Sequence, residues 1–202
     1  MRNPRELASV LLTLTASLVI VGCDKRPTTE DILSGMSEEN RRAMDVMVNT
    51  PFIVEGVSNP EFISAEECGL QDPAKIIGVV INGQARAYPL IRLSAMVDHV
   101  VNDNVVDADG NNLPFTVTYC DMTDCVRVVQ SSSKTTANSL EIGTLGLLDK
   151  GLALKWKNKD FKQMEQVEGL KDVPYTRTTW GEWKAEYPDS VVYKGRNRSR
   201  GK

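Results

Sequence analysis

Histidine occurs once in the 202 residues, at His99, so a site needing two imidazoles, such as a zinc-protease helix, is excluded. No serine-nucleophile elbow is present, and no carboxylate pair has a spacing that points to hydrolysis. Gly143-Thr144-Leu145-Gly146 is not followed by Gly-Lys-Ser/Thr, which rules out a phosphate loop. Cysteines are few, at 23, 68, 120 and 125. None forms C-x-x-C, and Cys125 is followed by Val126 instead of histidine, so a thioredoxin-type dithiol and a covalent c-type haem both lose their signature. There is neither an internal repeat nor a low-complexity segment. Long apolar runs are also scarce. The most extended, residues 7–21, is fifteen residues, short of the roughly 20 that a spanning helix needs.

That run has a different reading. Arg2 and Arg5 precede it and Ile20-Val21-Gly22-Cys23 closes it, the layout of a secretory signal ending in a lipobox. Residues 1–22 are thus expected to be removed and Cys23 to carry lipid, leaving the chain extracytoplasmic and tethered to a bacterial membrane. The membrane is the first expected partner. The mature chain would hold 22 basic against 26 acidic residues, because the leader contains Arg2, Arg5 and Glu6. A net charge of -4 does not suit nucleic acid. Residues 194–202 form a basic tail: Lys194, Arg196, Arg198, Arg200 and Lys202 have no acidic residue among them, and they would serve either as a solvated end or as a contact to anionic polymer.

Between leader and tail, a tether over 23–36 and a single globular domain over 37–193 are expected, long enough to bury one core. Ser37-Glu38-Glu39-Asn40 with Ala43, Met44, Met47 and Val48 predicts a helix over 38–48. Ser64-Ala65-Glu66-Glu67 predicts a single capped turn bearing Cys68. Asn82-Gly83, between two strand-like runs, predicts a hairpin. Pro89 opens an expected helix over 89–97 with Leu90, Leu93 and Val97 on one face. Phe115-Thr116-Val117-Thr118-Tyr119-Cys120 and Cys125-Val126-Arg127-Val128-Val129 read as a hairpin around a four-residue loop, with more strands near 139–144, 152–156 and 163–168. Thr179-Trp180-Gly181-Glu182 caps a helix that buries Trp180 and Trp183 in the core. The fold class is α+β, mainly antiparallel β with several short helices.

Residues 76–90 (IIGVVINGQARAYPL), Val101-Asn102-Asp103, Val117-Thr118-Tyr119-Cys120 and Thr178-Thr179-Trp180-Gly181-Glu182-Trp183 together resemble the domain-of-unknown-function family numbered 3179, over roughly residues 58–193. The resemblance implies a mostly β fold and brings no activity. The chain departs from the family pattern in three places. Cys120 and Cys125 are spaced C-x4-C where members often have C-x-x-C. Asp98-His99 stands where members often have His-Glu. Trp156-Lys157-Asn158, with Met164, replaces a Tyr-Asp-Arg segment and a tryptophan.

Chemistry therefore centres on the cysteines and His99. A four-residue loop sets Cys120 opposite Cys125 with Cα atoms roughly 4.5–5.5 Å apart, within disulfide reach. Closing so small a loop would stabilise by about 2 kcal/mol at most, which leaves redox or metal use open beside a structural bond. With Cys23 spent on lipid, three thiols remain. Cys68, Cys120 and Cys125 with His99 would make a Cys3His set acceptable to zinc, or through its thiolates to copper. The expected function is a binding module built around the Cys120/Cys125 hairpin, its protein or small-molecule partner unspecified. The alternative is a thiol-redox or Cys/His-dependent enzyme using the same residues.

Overall fold

The computed structural model describes residues 53–148 and 151–196, with Glu38 besides. The leader, Cys23, the tether, the expected helix over 38–48 apart from Glu38, and residues 197–202 of the tail lie outside the described residues. The described chain is mainly β. In order it forms β1 (Val57–Ser58), β2 (Phe62–Ile63), β3 (Lys75–Ile81), β4 (Gln84–Pro89), α1 (Leu90–Leu93), a 3-10 turn (Met96–Asp98), β5 (Val100–Val106), β6 (Asn112–Cys120) and β7 (Cys125–Ser131). There follow β8 (Gly143–Leu148), β9 (Gly151–Trp156), β10 (Lys159–Lys162), β11 (Leu170–Asp172), β12 (Thr176–Thr179), α2 (Trp180–Glu186) and β13 (Val191–Tyr193).

Three sheets result: β1-β5-β6-β7-β11, β12-β3-β4-β13-β2 and β10-β9-β8. Most pairings are antiparallel; β1 with β5 and β13 with β4 are parallel. The first core lies between the two five-stranded sheets, where Ile77, Val79, Ile81 and Tyr88 meet Val101, Phe115, Val117, Val126 and Val128. The β5–β6–β7 sheet is covered on its other face too. There Val100, Cys120 and Val129 pack with Leu152, Leu154, Trp156 and Phe161 of the three-stranded sheet. Alternation along a strand puts successive side chains on opposite faces, so Phe115, Val117 and Tyr119 enter the first core while Thr116, Thr118 and Cys120 face the second. A third cluster joins the outer face of β3 and β4, through Ile76 and Ala87, to Trp180, Trp183 and Cys68.

Two turns follow directly from composition. Asn82 and Gly83 both adopt positive φ (49° and 74°), the primed turn that an Asn-Gly hairpin favours, and β3 pairs with β4 in register from Ile76↔Pro89 to Ile81↔Gln84. The second hairpin pairs Cys120 with Cys125 around residues 121–124. The capping box of α2 is complete: Thr179 accepts from the Glu182 N–H, and Glu182 accepts from the Thr179 N–H. Trp183 closes down on β3 so tightly that a Cβ on Gly78 would meet its ring at 2.2 Å.

Other expectations need correction. The described residues hold two α-helices with described ranges, α1 and α2, and Glu38 is helical besides, so helix takes a smaller share than several short helices would give. The helix expected over 89–97 breaks after four residues, because Ala95 is extended (ψ 138°), and it resumes as the 3-10 turn. Val97 is consequently exposed and not on a buried face with Leu93. Residues 65–68 make a turn without helix; Ser64 Oγ still accepts from the Glu67 N–H at 3.3 Å. The strand expected at 139–144 begins only at Gly143, and 163–168 is no strand: Gln163 and Val167 are buried within irregular chain.

Candidate functional site

The structure brings only part of the cysteine and histidine set together. Cys68 is a buried free thiol whose Sγ donates to Ala65 O at 3.1 Å, and it packs in the tryptophan cluster on the outer face of β3 and β4. Cys120 belongs to the second core, on the far face of the other large sheet. Two sheets thus separate these two thiols, and the Cys68, His99, Cys120, Cys125 metal set is not assembled. Among the described residues no three His, Cys, Asp or Glu side chains gather where they could hold a metal, so the expectation of zinc or copper at these four residues is corrected.

The hairpin disulfide is likewise not formed. Cys120 and Cys125 are register partners as expected, yet Cys120 is a free thiol with 0% exposure. Its side chain is fixed among Val100, Val129 and Leu140, while Cys125 Sγ lies 3.6 Å from Thr123 O.

His99 does reach the hairpin. It caps the 3-10 turn, and its Nε2 lies 3.1 Å from Asp121 Oδ1, while its Nδ1 is buried with no hydrogen-bond partner among the described residues. Burial pushes the imidazole pKa down, against the opposing pull of the Asp121 carboxylate. Beside it, Tyr119 OH donates to Asp124 Oδ1 at 3.0 Å and Arg177 pairs with the same carboxylate at 2.7 Å. Burial, and then the Asp124 hydrogen bond, push the Tyr119 phenol up to about 12. The loop shows solvent Asp121 (42% exposed) and Met122, and keeps its thiol side turned inward.

A second polar constellation lies where β2 and β4 of one large sheet approach β5 of the other. Tyr88 OH donates to Asp103 Oδ2 at 2.5 Å, and the Asn104 N–H donates to Asp103 Oδ1 at 2.7 Å. Arg86 Nε stands 3.3 Å from Asp103 Oδ2, at ion-pair distance but not aligned as a hydrogen bond. Arg86 Nη2 donates to Asn104 O at 3.2 Å, and the guanidinium lies 4.4 Å from the centre of the Phe62 ring. Burial raises the Asp103 carboxyl pKa, with Arg86 and Tyr88 opposing; burial and the Asp103 charge hold the Tyr88 phenol well above its ordinary range. Next to Asp103, Asn102 takes Thr116 Oγ1 and the Ile142 N–H on its Oδ1 and gives its Nδ2 to Ile142 O, fastening the chain before β8 onto the sheet. A cavity of about 310 Å³ opens here, lined by Asn59, Phe62, Arg86, Asp103, Asn104 and Asn138 among others.

Arg86, Tyr88, Asn102 and Asp103 come from the two sequence stretches, 76–90 and 101–103, whose resemblance was noted first, and the fold makes them neighbours. A comparison with protein families matches residues 54–201 to DUF3179, described as a protein of unknown function. The chain belongs to the DUF3179 family. Comparison with curated proteins gives no match, nor does comparison with solved structures. In this DUF3179 domain the Arg86–Asp103 pair escaped the sequence reading because Arg86 alternates with apolar neighbours as any outward strand residue does. The available signal was Asn102-Asp103-Asn104, three polar residues inside the otherwise all-valine segment Val100–Val106. Such residues in mid-strand need partners if buried.

Proposed function

We propose that the chain is a lipid-anchored extracytoplasmic binding module, with the Arg86–Asp103 cleft as its ligand site. The anchor rests on the charged start, the fifteen-residue apolar core and the lipobox ending at Cys23. No helix among the described residues is long and apolar enough to cross a membrane. The binding part rests on one observation above all: Arg86 is 84% buried by side-chain area at the mouth of a cavity, yet among the described residues only one of its five N–H groups has a hydrogen-bond acceptor. Guanidinium groups held in that state are ready to receive an acceptor from outside. The cysteines offer no comparable opening, since Cys68 and Cys120 are buried in separate cores.

Two measurements test this. Cells fed an alkyne-bearing fatty acid should label the wild-type chain and not Cys23→Ala, which should also leave the membrane fraction; labelling of the variant would refute the anchor. A fragment library added to the isotope-labelled full chain should shift amide resonances of Arg86, Asn104 and Asn138. Hits confined to other surfaces would refute the cleft.

A further inference from the structure

Resting on that reading of the cleft, we infer that its ligand is a small carboxylate bearing hydroxyl groups, bound through the free edge of Arg86. The two charges in the cleft are not equally available. Asp103 has both oxygens engaged, one by the Asn104 N–H and the other by Tyr88 OH with Arg86 Nε alongside, and its side chain is 5% exposed. Arg86 is 16% exposed and its Nη1 has no hydrogen-bond partner among the described residues. What the cleft presents to an incoming molecule is therefore the guanidinium edge, and the group that matches a guanidinium edge is a carboxylate. Asp103 acts behind it as a positioning residue. Its carboxylate attracts the guanidinium from 3.3 Å off Nε while the Phe62 ring supports one face.

The rest of the lining selects what accompanies the carboxylate. Asn59 and Asn138 are exposed at the rim, and their side-chain amides make no hydrogen bond within the described residues. Each offers both a donor and an acceptor, which suits hydroxyl groups, since these also give and accept. Among the described residues no second cation lines the cavity, so a dianion has one counter-charge only there. At about 310 Å³ the space is at the small end of ligand sites and suits a compound of sugar-acid size, not a polymer.

The test is calorimetric titration of the full-length chain with D-glucuronate, L-tartrate and L-malate, and with D-glucose as the uncharged counterpart. At least one carboxylate should bind, at least tenfold more tightly than glucose. Arg86→Gln should abolish that binding, and Arg86→Lys, which keeps the charge and loses the fork, should weaken it about tenfold. Asn138→Ala changes only the rim, so it should weaken binding several-fold while leaving the urea midpoint unchanged; it serves as the test if Arg86→Gln fails to fold. Binding of none of the three acids, or binding that Asn138→Ala and Arg86→Lys both leave intact, overturns the proposal. Glucose binding equally well and lost in Asn138→Ala would overturn the carboxylate assignment while the cleft itself stood.

Discussion

Replacing Tyr88 by phenylalanine removes one oxygen from a fully buried ring and one donor from a buried carboxylate. Tyr88 OH lies 2.5 Å from Asp103 Oδ2, whose other neighbour, Arg86 Nε at 3.3 Å, is not aligned as a hydrogen bond. The ring still fits, so the cost is the lost hydrogen bond to a charged group, about 1.5–3 kcal/mol. For a chain of this size that lowers Tm by roughly 3–12 °C. The pH dependence is more diagnostic. Burial raises the Asp103 carboxyl above its ordinary 3.8, and the Tyr88 hydrogen bond opposes that rise, so the variant's carboxyl rises further. A group whose folded pKa is raised contributes stability that is fully present below its unfolded pKa and is lost as pH rises through the folded value. The variant's deficit should therefore be full at neutral pH and shrink as acid protonates Asp103 in the fold. Urea unfolding followed by tryptophan fluorescence near pH 7 and near pH 4 measures both. A deficit under about 0.5 kcal/mol at neutral pH, well short of the expected hydrogen-bond loss, would refute the reasoning, as would one that is the same at both pH values.

Three further outcomes are expected. His99 is the only histidine, so one imidazole resonance reports its titration: its pKa should lie below 6.5, and Asp121→Asn should lower it further by removing the attracting charge; an unshifted or raised value in the variant would contradict the pairing. Because that folded pKa is depressed, the neutral form is favoured in the fold, and the stability this gives is present above about 6.5 and lost as pH falls through the folded value. Gly78→Ala should destabilise by about 1–3 kcal/mol and disturb the near-ultraviolet signal of Trp183, whose ring atoms stand 2.2–2.5 Å from the added methyl position; an unchanged urea midpoint would count against the packing described. Cys68 and Cys120 should be inert to a thiol reagent in the native chain and react once urea unfolds it, since both are buried. Rapid native labelling of either, located by mass spectrometry, would show that its core opens.

Local signals carried the sequence a long way. Asn82-Gly83, the four-residue loop between Cys120 and Cys125, and the Thr179/Glu182 box each specify a structure through a few bonds between near neighbours, and each is present as expected. What stayed hidden was the identity of the faces. Cys125-Val126-Arg127-Val128-Val129 alternates as the return strand of a hairpin, and the alternation does not say what lies over each face. The sheet is covered on both sides, and Arg127 is buried, giving its Nε to Asp172 at 2.6 Å and its Nη1 to the carbonyls of Gln163 and Glu165. Nothing in a two-residue period tells a strand whether a second layer covers it. The metal set failed for a related reason. Cys68 and Cys120 belong to opposite outer faces of the paired large sheets, a separation that counting cysteines cannot register. The Arg86–Asp103 contact joins residues of different sheets, and no spacing along the chain encodes it.

The last strand of the described chain is not at an edge. β13 lies between β4, which it meets in parallel, and β2, which it meets antiparallel, and Lys194 just beyond it donates to Glu61 at 2.7 Å. A chain emerging N-terminus first therefore cannot complete this sheet until residues 191–193 have been delivered. Until then β2 has no neighbour and β4 shows an open backbone edge, the kind that pairs with other chains. Folding of the whole layer is timed by the arrival of its final segment, and a product stopped at residue 190 would expose an aggregation-prone edge instead of losing a dispensable end.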